Sequence, residues 1–282
     1  MLRLLKAHRT AYSEIKRLQL GFELLALIIV LALPFTYIFL PELKTGVGII
    51  GALLSIVAIA IDRIQKRRTK AAASIQEKFD RTLFELDENV YDRTTTISTD
   101  EIIALADRYE GGDPTNWYSQ KINVNIPHNM AVLLCQKANL NWDASLRKKY
   151  RAMIWVLLLI YSVGTIYTLA VTFNDTNEFL LHTFFLLVGG AAFFKYCIGV
   201  ILEKGDIINE KNDLSKLVDK HFQEYKISKV QPSICQLSHL QSKIFIARTK
   251  TVKIPSWFYR MFKSEDEKTM NQMTQGIIED YL

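Results

Sequence analysis

The chain has 282 residues, of which 49% are hydrophobic and 23% charged, with three cysteines and a formal net charge of +6. The hydrophobic share excludes a disordered polar chain, and an odd trio of distant cysteines excludes a disulfide-framed mini-protein. The positive charge would suit a nucleic-acid binder, but it gathers at the ends of apolar runs, which argues against a DNA or RNA polymer as partner.

In chain order, residues 1–20 read as an N-terminal basic amphipathic helix. Leu5, His8, Tyr12, Ile15 and Gln19 fall near one face, with basic residues around them, a pattern suited to a membrane surface. Residues 21–61 form a first transmembrane hairpin, because Leu24–Pro41 and Thr45–Ile61 contain no Asp, Glu, Lys or Arg. Each run matches the roughly 20 helical residues that cross a bilayer core of about 30 Å. Pro34 inside the first span frees a backbone carbonyl and kinks the helix, as a static bend or a hinge.

Residues 46–51 spell Gly-Val-Gly-Ile-Ile-Gly, the letters of a dinucleotide-binding loop. That motif requires a preceding strand, whereas here it opens a span. Gly48 with Ala52, and Gly51 with Ser55, instead supply the small-xxx-small spacing of closely packed helices.

Residues 62–151 form a cytoplasmic helical segment. Ile64, Ala71, Ile75, Phe79, Leu83, Leu86 and Val90 recur at helical steps, so one helix is predicted from Ile61 to Asn89. Thr94–Thr96 reads as a polar break. Ser98 with Glu101 caps a short helix through Tyr109, and Pro127 starts another through Asn139. Asp143 is placed as the cap of a further helix running through Arg147 into the third span.

Residues 152–202 form a second transmembrane hairpin, with charge-free runs at Ala152–Asn174 and Phe179–Phe194. Gly189 and Gly190 give the fourth span a thin face. Lys195 is the one basic residue within a span; it either snorkels to the interface or faces a pore or the bundle interior. Residues 203–282 form a C-terminal cytoplasmic helical region. Ile207, Leu214, Val218, His221 and Tyr225 mark one helix, Pro232 opens another through Arg248, and Ser264 with Glu267 caps the last. No convincing strand alternation occurs, so the fold class is an all-α membrane protein: four transmembrane helices in two hairpins with cytoplasmic helical extensions. These soluble pieces dilute the mean hydropathy to +0.08.

The flanks orient the spans. Arg3, Lys6, Arg9, Lys16 and Arg17 precede the first, Arg63, Lys66, Arg67, Arg68 and Lys70 follow the second, and Arg147, Lys148, Lys149 and Arg151 precede the third. The two short loops between paired spans hold a single lysine. The positive-inside bias therefore places both termini and the central segment in the cytoplasm.

No catalytic or metal chemistry emerges. The histidines are scattered and no cysteine stands in a metal-ligating spacing, so neither metal nor cofactor is expected. Ser119, Asp113 and His128 match no triad, and the chain is not read as an enzyme. The central segment is richer. Trp117 and Tyr118, then Gln136, Asn139, Trp142 and Arg147, combine stacking, amide and guanidinium groups that suit a nucleotide. The same residues also suit structure: Trp142 as an interface anchor, and Asp143 paired with Arg147 one turn on.

The run from Cys135 to Tyr150 (Cys-Gln-Lys-Ala-Asn-Leu-Asn-Trp-Asp-Ala-Ser-Leu-Arg-Lys-Lys-Tyr) resembles the block before the third span of the SMODS-associated four-transmembrane effectors. Asn116–Tyr118, and Phe79-Asp80 with Leu83 and Leu86, are similar to earlier blocks of that family. Tyr12 with Lys16, and residues 255–262, fit more weakly. Lys148 and Lys149 stand where arginine is expected, and lysine cannot grip a phosphate bidentately. The resemblance implies a pore-forming effector of bacterial anti-phage (CBASS) systems in the inner membrane. It would be activated by a cyclic oligonucleotide from a partner nucleotidyltransferase, causing depolarisation and growth arrest. Four helices leave little room for an aqueous pore, so a homo-oligomer is expected. A housekeeping channel or transporter, and a membrane-tethered scaffold for a protein partner, are the rival readings.

Overall fold

The computed structural model describes residues 1–87, 97–114, 117–119, 121–123, 125–172, 176–250 and 254–281, with some side chains between 23 and 44 and between 171 and 192 left aside. Val90, Thr94–Thr96 and Asn116 lie outside the described residues. Among the described residues, seven α-helices follow in order: α1 (Leu2–Phe39), α2 (Lys44–Phe84), α3 (Thr99–Asp107), α4 (His128–Thr172), α5 (Thr176–Ser228), α6 (Ile234–Thr249) and α7 (Ser256–Tyr281), with one 3-10 turn at Pro41–Leu43. No strand occurs among the described residues.

The helices are longer and fewer than the sequence breaks suggest. α4 has 45 residues and α5 has 53; at about 1.5 Å per residue, both far exceed a bilayer core. The expected break between Asn139 and Asp143 is absent, because Asp143 bonds Arg147 one turn ahead within the helix instead of capping it. Ser264 likewise lies inside α7, which begins at Ser256. α1 runs unbroken through Pro34.

Two helices end earlier than their apolar pattern. α2 stops at Phe84 rather than Asn89, since Glu85 turns left-handed (φ 55°) and the Leu86 N–H donates back to the Arg81 carbonyl at 3.0 Å. That is the Schellman arrangement, here without glycine. α3 ends at Asp107, and its Ser98 cap accepts from the Glu101 N–H at 3.2 Å. At α6 the cap is Ser233 rather than Pro232, in a reciprocal capping box with Gln236.

The chain divides into two units. One comprises Met1–Lys16, Lys66–Lys148 and Gly205–Leu282; the other comprises Arg17–Gln65 and Lys149–Lys204. The first has an apolar core of Met130, Leu133, Leu134, Leu140, Leu214, Val218, Phe222, Leu237, Leu240 and Ile244. A second cluster packs Ala7 of α1 with Ile75, Ile102 and Leu105. The α1 face assigned to a membrane surface is in fact buried in protein: Leu5, His8, Ile15 and Gln19 are all inaccessible.

The other unit has an apolar exterior. Ile49, Ile50, Leu53 and Ile56 of α2, and Val156, Leu159, Ile160, Val163 and Ile166 of α4, are exposed. So much contiguous hydrocarbon is untenable in water and suits a bilayer. Among the described residues, α2 and α4 hold segments long and apolar enough to cross a membrane. Ser55, Ser162, Thr165 and Thr168 donate to carbonyls four residues back, at 2.8 to 3.1 Å, which hides their hydroxyls from hydrocarbon.

Gly48, Gly51 and Gly190 are buried. A Cβ on Gly190 would overlap the Tyr161 hydroxyl, and Tyr161 packs edge-on against Phe193 and Phe194 at 5.3 and 5.2 Å. Lys195 is exposed, so it does not face this unit's interior. The surroundings of Pro34 and Gly189 lie outside the described residues.

Candidate functional site

The interior of the first unit carries a buried ionic network from three helices and a loop. Spacings of three and four residues put Glu77, Asp80 and Arg81 on one face of α2. Gln241 and Arg248 stand two turns apart on α6, and Gln136 and Asn139 one turn apart on α4. Arg81 Nε donates to Glu77 Oε1 at 2.6 Å, and Arg248 Nη1 to Asp80 Oδ2 at 2.7 Å. Gln241 donates to Glu77 at 2.8 Å and receives a bond from Gln136 at 3.2 Å. The Tyr118 hydroxyl donates to Asp80 Oδ1 at 2.9 Å and accepts from Asn139 at 2.8 Å. Ser238 and Ser242 each accept from Arg81 at 2.9 Å.

Two carboxylates and two guanidiniums balance in charge, as a buried ionic cluster must. Burial pushes the Glu77 carboxyl up, while Arg248 and Arg81 pull it back down. The Tyr118 phenol is raised first by burial and then by the Asp80 charge.

A second cluster lies at Asp143. Its Oδ2 accepts from Arg147 Nε at 2.6 Å and from Lys211 Nζ at 2.6 Å, while Oδ1 accepts from Arg147 Nη2 at 3.1 Å. Arg147 and Lys211 are only 2% and 3% exposed, whereas the Asp143 side chain is 32% exposed. The Lys16 ammonium lies over the Tyr259 ring at 5.2 Å, and that ring lies 6.2 Å from Trp142. Burial lowers Lys16 to about 8, with Asp143 opposing the shift and Arg147 adding to it. Lys211 is lowered for the same reasons. Tyr12 feels both clusters: burial raises its phenol, and Arg248, Asp143, Asp80 and Arg147 all act on it.

Trp117 belongs to a third group. Its ring lies 4.9 Å from His8, nearly perpendicular, with the Arg9 guanidinium over its face at 5.1 Å. Arg9 also donates to the Tyr109 hydroxyl at 3.1 Å. The indole N–H is buried without a hydrogen-bond partner.

The six residues predicted to bind a ligand thus fall into these three groups. Tyr118, Gln136 and Asn139 are committed to the ionic network, although the Gln136 Oε1 atom is buried without a hydrogen-bond partner. Trp142 and Arg147 share the Asp143 cluster, and Trp117 stands with His8 and Arg9. Ser119 and His128 do not meet: Ser119 donates to Asn271 at 2.6 Å, and the His128 ring bonds the Phe84 carbonyl at 3.2 Å. Cys135 and Cys197 are buried free thiols, and Cys235 is an exposed one. No metal-holding group occurs among the described residues. A groove of about 470 Å³ runs between α5 and α6, lined by Leu217, His221, Cys235 and His239 among others.

Glu77, Asp80, Arg81, Lys211, Gln241 and Arg248 were not singled out as site residues by the sequence reading, although the resemblance touches Asp80. A usable signal existed. Lys211 interrupts the apolar step Ile207–Leu214–Val218, Gln241 interrupts Leu237–Ile244, and Arg248 follows one turn on along the same face. A charge on an apolar stripe marks a buried partner.

The model of the family described as SMODS-associating 4TM effector domain matches residues 1–277 of this chain. A protein of Bacillus cereus (strain VD146), named a probable CBASS effector molecule, is 24% identical over 235 residues, covering 82% of this chain and 77% of that protein. No solved structure matches.

Proposed function

Because this chain belongs to the family of SMODS-associating 4TM effector domains, we propose that it is a CBASS effector that permeabilises the bacterial inner membrane when a cyclic oligonucleotide reaches its cytoplasmic unit. Its relative's name supports the anti-phage setting. The apolar runs in α1, α2, α4 and α5 are the four spans, and the basic flanks hold both termini and the polar unit inside. Several protomers supply the pore, and a partner nucleotidyltransferase supplies the ligand. The protein works by binding and rearrangement and is assigned no catalytic step.

One observation carries the mechanical part of this reading. α4 holds Gln136, Asn139, Asp143 and Arg147 and then continues, unbroken, into an apolar segment. A rearrangement at those side chains is therefore delivered to a span by a rigid rod rather than through a loop. In dye-loaded liposomes containing the full chain, one of a set of synthetic cyclic di- and trinucleotides is expected to trigger leakage. Leakage equal with and without every nucleotide would overturn the ligand-gated reading.

A further inference from the structure

From Tyr225 to Ser264 the chain carries eight lysines and arginines and neither aspartate nor glutamate. Part of that charge is answered inside the first unit, where Arg248 pairs with Asp80 at 2.7 Å and Lys250 with Glu210 at 3.2 Å. Another part stands at the start of α7. Helical spacing puts Trp257, Arg260, Met261 and Ser264 on one face, turned away from the buried Phe258. Arg260 and Lys263 are exposed, Met261 is 66% exposed, and Trp257 is half-buried. From Glu265 onward the exposed positions of α7 turn polar, as at Lys268, Asn271 and Gln272. An outward face that joins an indole, a thioether and two cations suits a bilayer interface better than water.

The packing of this segment supplies a second, independent observation. The Tyr259 ring lies 6.2 Å from Trp142 and under the Lys16 ammonium at 5.2 Å. Lys16 is the last α1 residue of the first unit, and Trp142 stands six residues before α4 leaves that unit at Lys148, about 9 Å of helix. Beyond those points α1 runs into the charge-free stretch Leu24–Pro41, and α4 into its apolar segment. We infer that Trp257–Lys263 is an in-plane membrane anchor whose Arg260 and Lys263 bind the headgroup phosphates of anionic phospholipids. Trp257 and Met261 reach toward the acyl boundary, the level that indole rings favour. A neutral bilayer would receive the rings but give the cations no net attraction, so the anchor selects anionic lipid. Farther along α7, Ile277, Ile278 and Tyr281 pack against the core of the first unit. One helix therefore links the lipid surface to that core. The inference rests on the membrane reading of the other unit.

The test uses the full chain with Cys235→Ser, which leaves the buried Cys135 and Cys197 as its native thiols. Met261→Cys then carries an environment-sensitive NBD fluorophore, and the protein is reconstituted in vesicles of phosphatidylcholine with or without phosphatidylglycerol. With phosphatidylglycerol the emission is expected to shift to the blue and to be quenched by headgroup spin-labelled lipid, and with phosphatidylcholine alone much less so. Arg260→Gln and Lys263→Gln should each lower the ratio of embedded to free segment about fivefold, while Arg260→Lys preserves it. Equal emission in both vesicles, with the label open to aqueous iodide, overturns the anchor. A label shielded from iodide yet blind to spin-labelled lipid means that a protein surface covers this face, and overturns it as well. Ile160→Cys, on the exposed apolar stretch of α4, is the control and should be quenched by acyl-chain spin labels. Failure of that control defeats the membrane reading and the anchor with it, whereas failure at Met261 alone defeats only the anchor.

Discussion

Asp80 shows what one buried charge can organise. It accepts from Arg248, Tyr118 and Gln241, which come from α6, the loop before α4, and α6 again. Removing it breaks the 2.7 Å pair with the buried Arg248, and the Glu77 carboxylate stands farther from that guanidinium, at 4.0 Å. Asp80→Ala is therefore expected to cost about 3–5 kcal/mol, as for other broken buried ion pairs, read as a large drop in the detergent melting temperature. Lys16 gives a pH-dependent counterpart. Its folded value near 8 lies below the ordinary 10.5, so the unfolded chain holds the proton more tightly. Its penalty on stability is full below about 8 and relieved as pH rises toward 10.5. The stability gained by Lys16→Met should accordingly shrink across that window in parallel melts of the two proteins. Sequence reasoning found Arg147 and its pairing with Asp143, because one helical turn separates them. It missed Lys211 and Arg248, whose partners lie far along the chain.

At the scale of elements, the apolar steps located most helices correctly, while their ends were set by groups the steps do not describe. Val90 would continue the α2 pattern, yet the helix stops at the left-handed Glu85. A non-glycine residue pays roughly 1 kcal/mol or more for that conformation, so Glu85→Gly should raise the melting temperature slightly, without changing helix content by circular dichroism. Conversely, Asn139 to Asp143 looked like a join and is continuous helix, because a lone capping residue competes poorly with the in-helix Arg147 bond. Gly190, expected on a thin face of the fourth span, lies against Tyr161 of the same protomer. Gly190→Ala should destabilise the protein, since the new methyl meets the Tyr161 hydroxyl. Tyr161→Phe removes that oxygen and should restore much of the loss. A double-mutant cycle of melting temperatures checks the coupling.

At the scale of the whole molecule, α1, α2, α4 and α5 each contribute residues to both units. Stiffness of these helices is then a functional requirement under the proposed mechanism. Inserting two glycines after Arg151 should leave nucleotide binding to the polar unit intact and abolish liposome leakage. Persistent leakage would mean that α4 carries no signal. The all-helical class and the apolar runs were legible because periodicity and the absence of charge are local properties. The ionic network was not, since its Arg248–Asp80 bond alone joins side chains 168 positions apart.

That separation has a consequence in time. During synthesis Asp80 and Glu77 leave the ribosome long before Arg248. At about 5–20 residues per second, the carboxylates wait roughly 10–30 s for Arg248, while the intervening chain, including the apolar segment of α4, emerges. The first unit, drawn from three stretches of chain, therefore closes only after both stretches of the other unit have been made. Ribosomes that stall before α6 release a chain with an open, charge-frustrated interior, the kind of surface that quality-control proteases degrade. Completion of α6 thus works as a check on the finished molecule, and chains truncated near residue 235 should be cleared within minutes in a pulse-chase experiment, whereas the full chain persists.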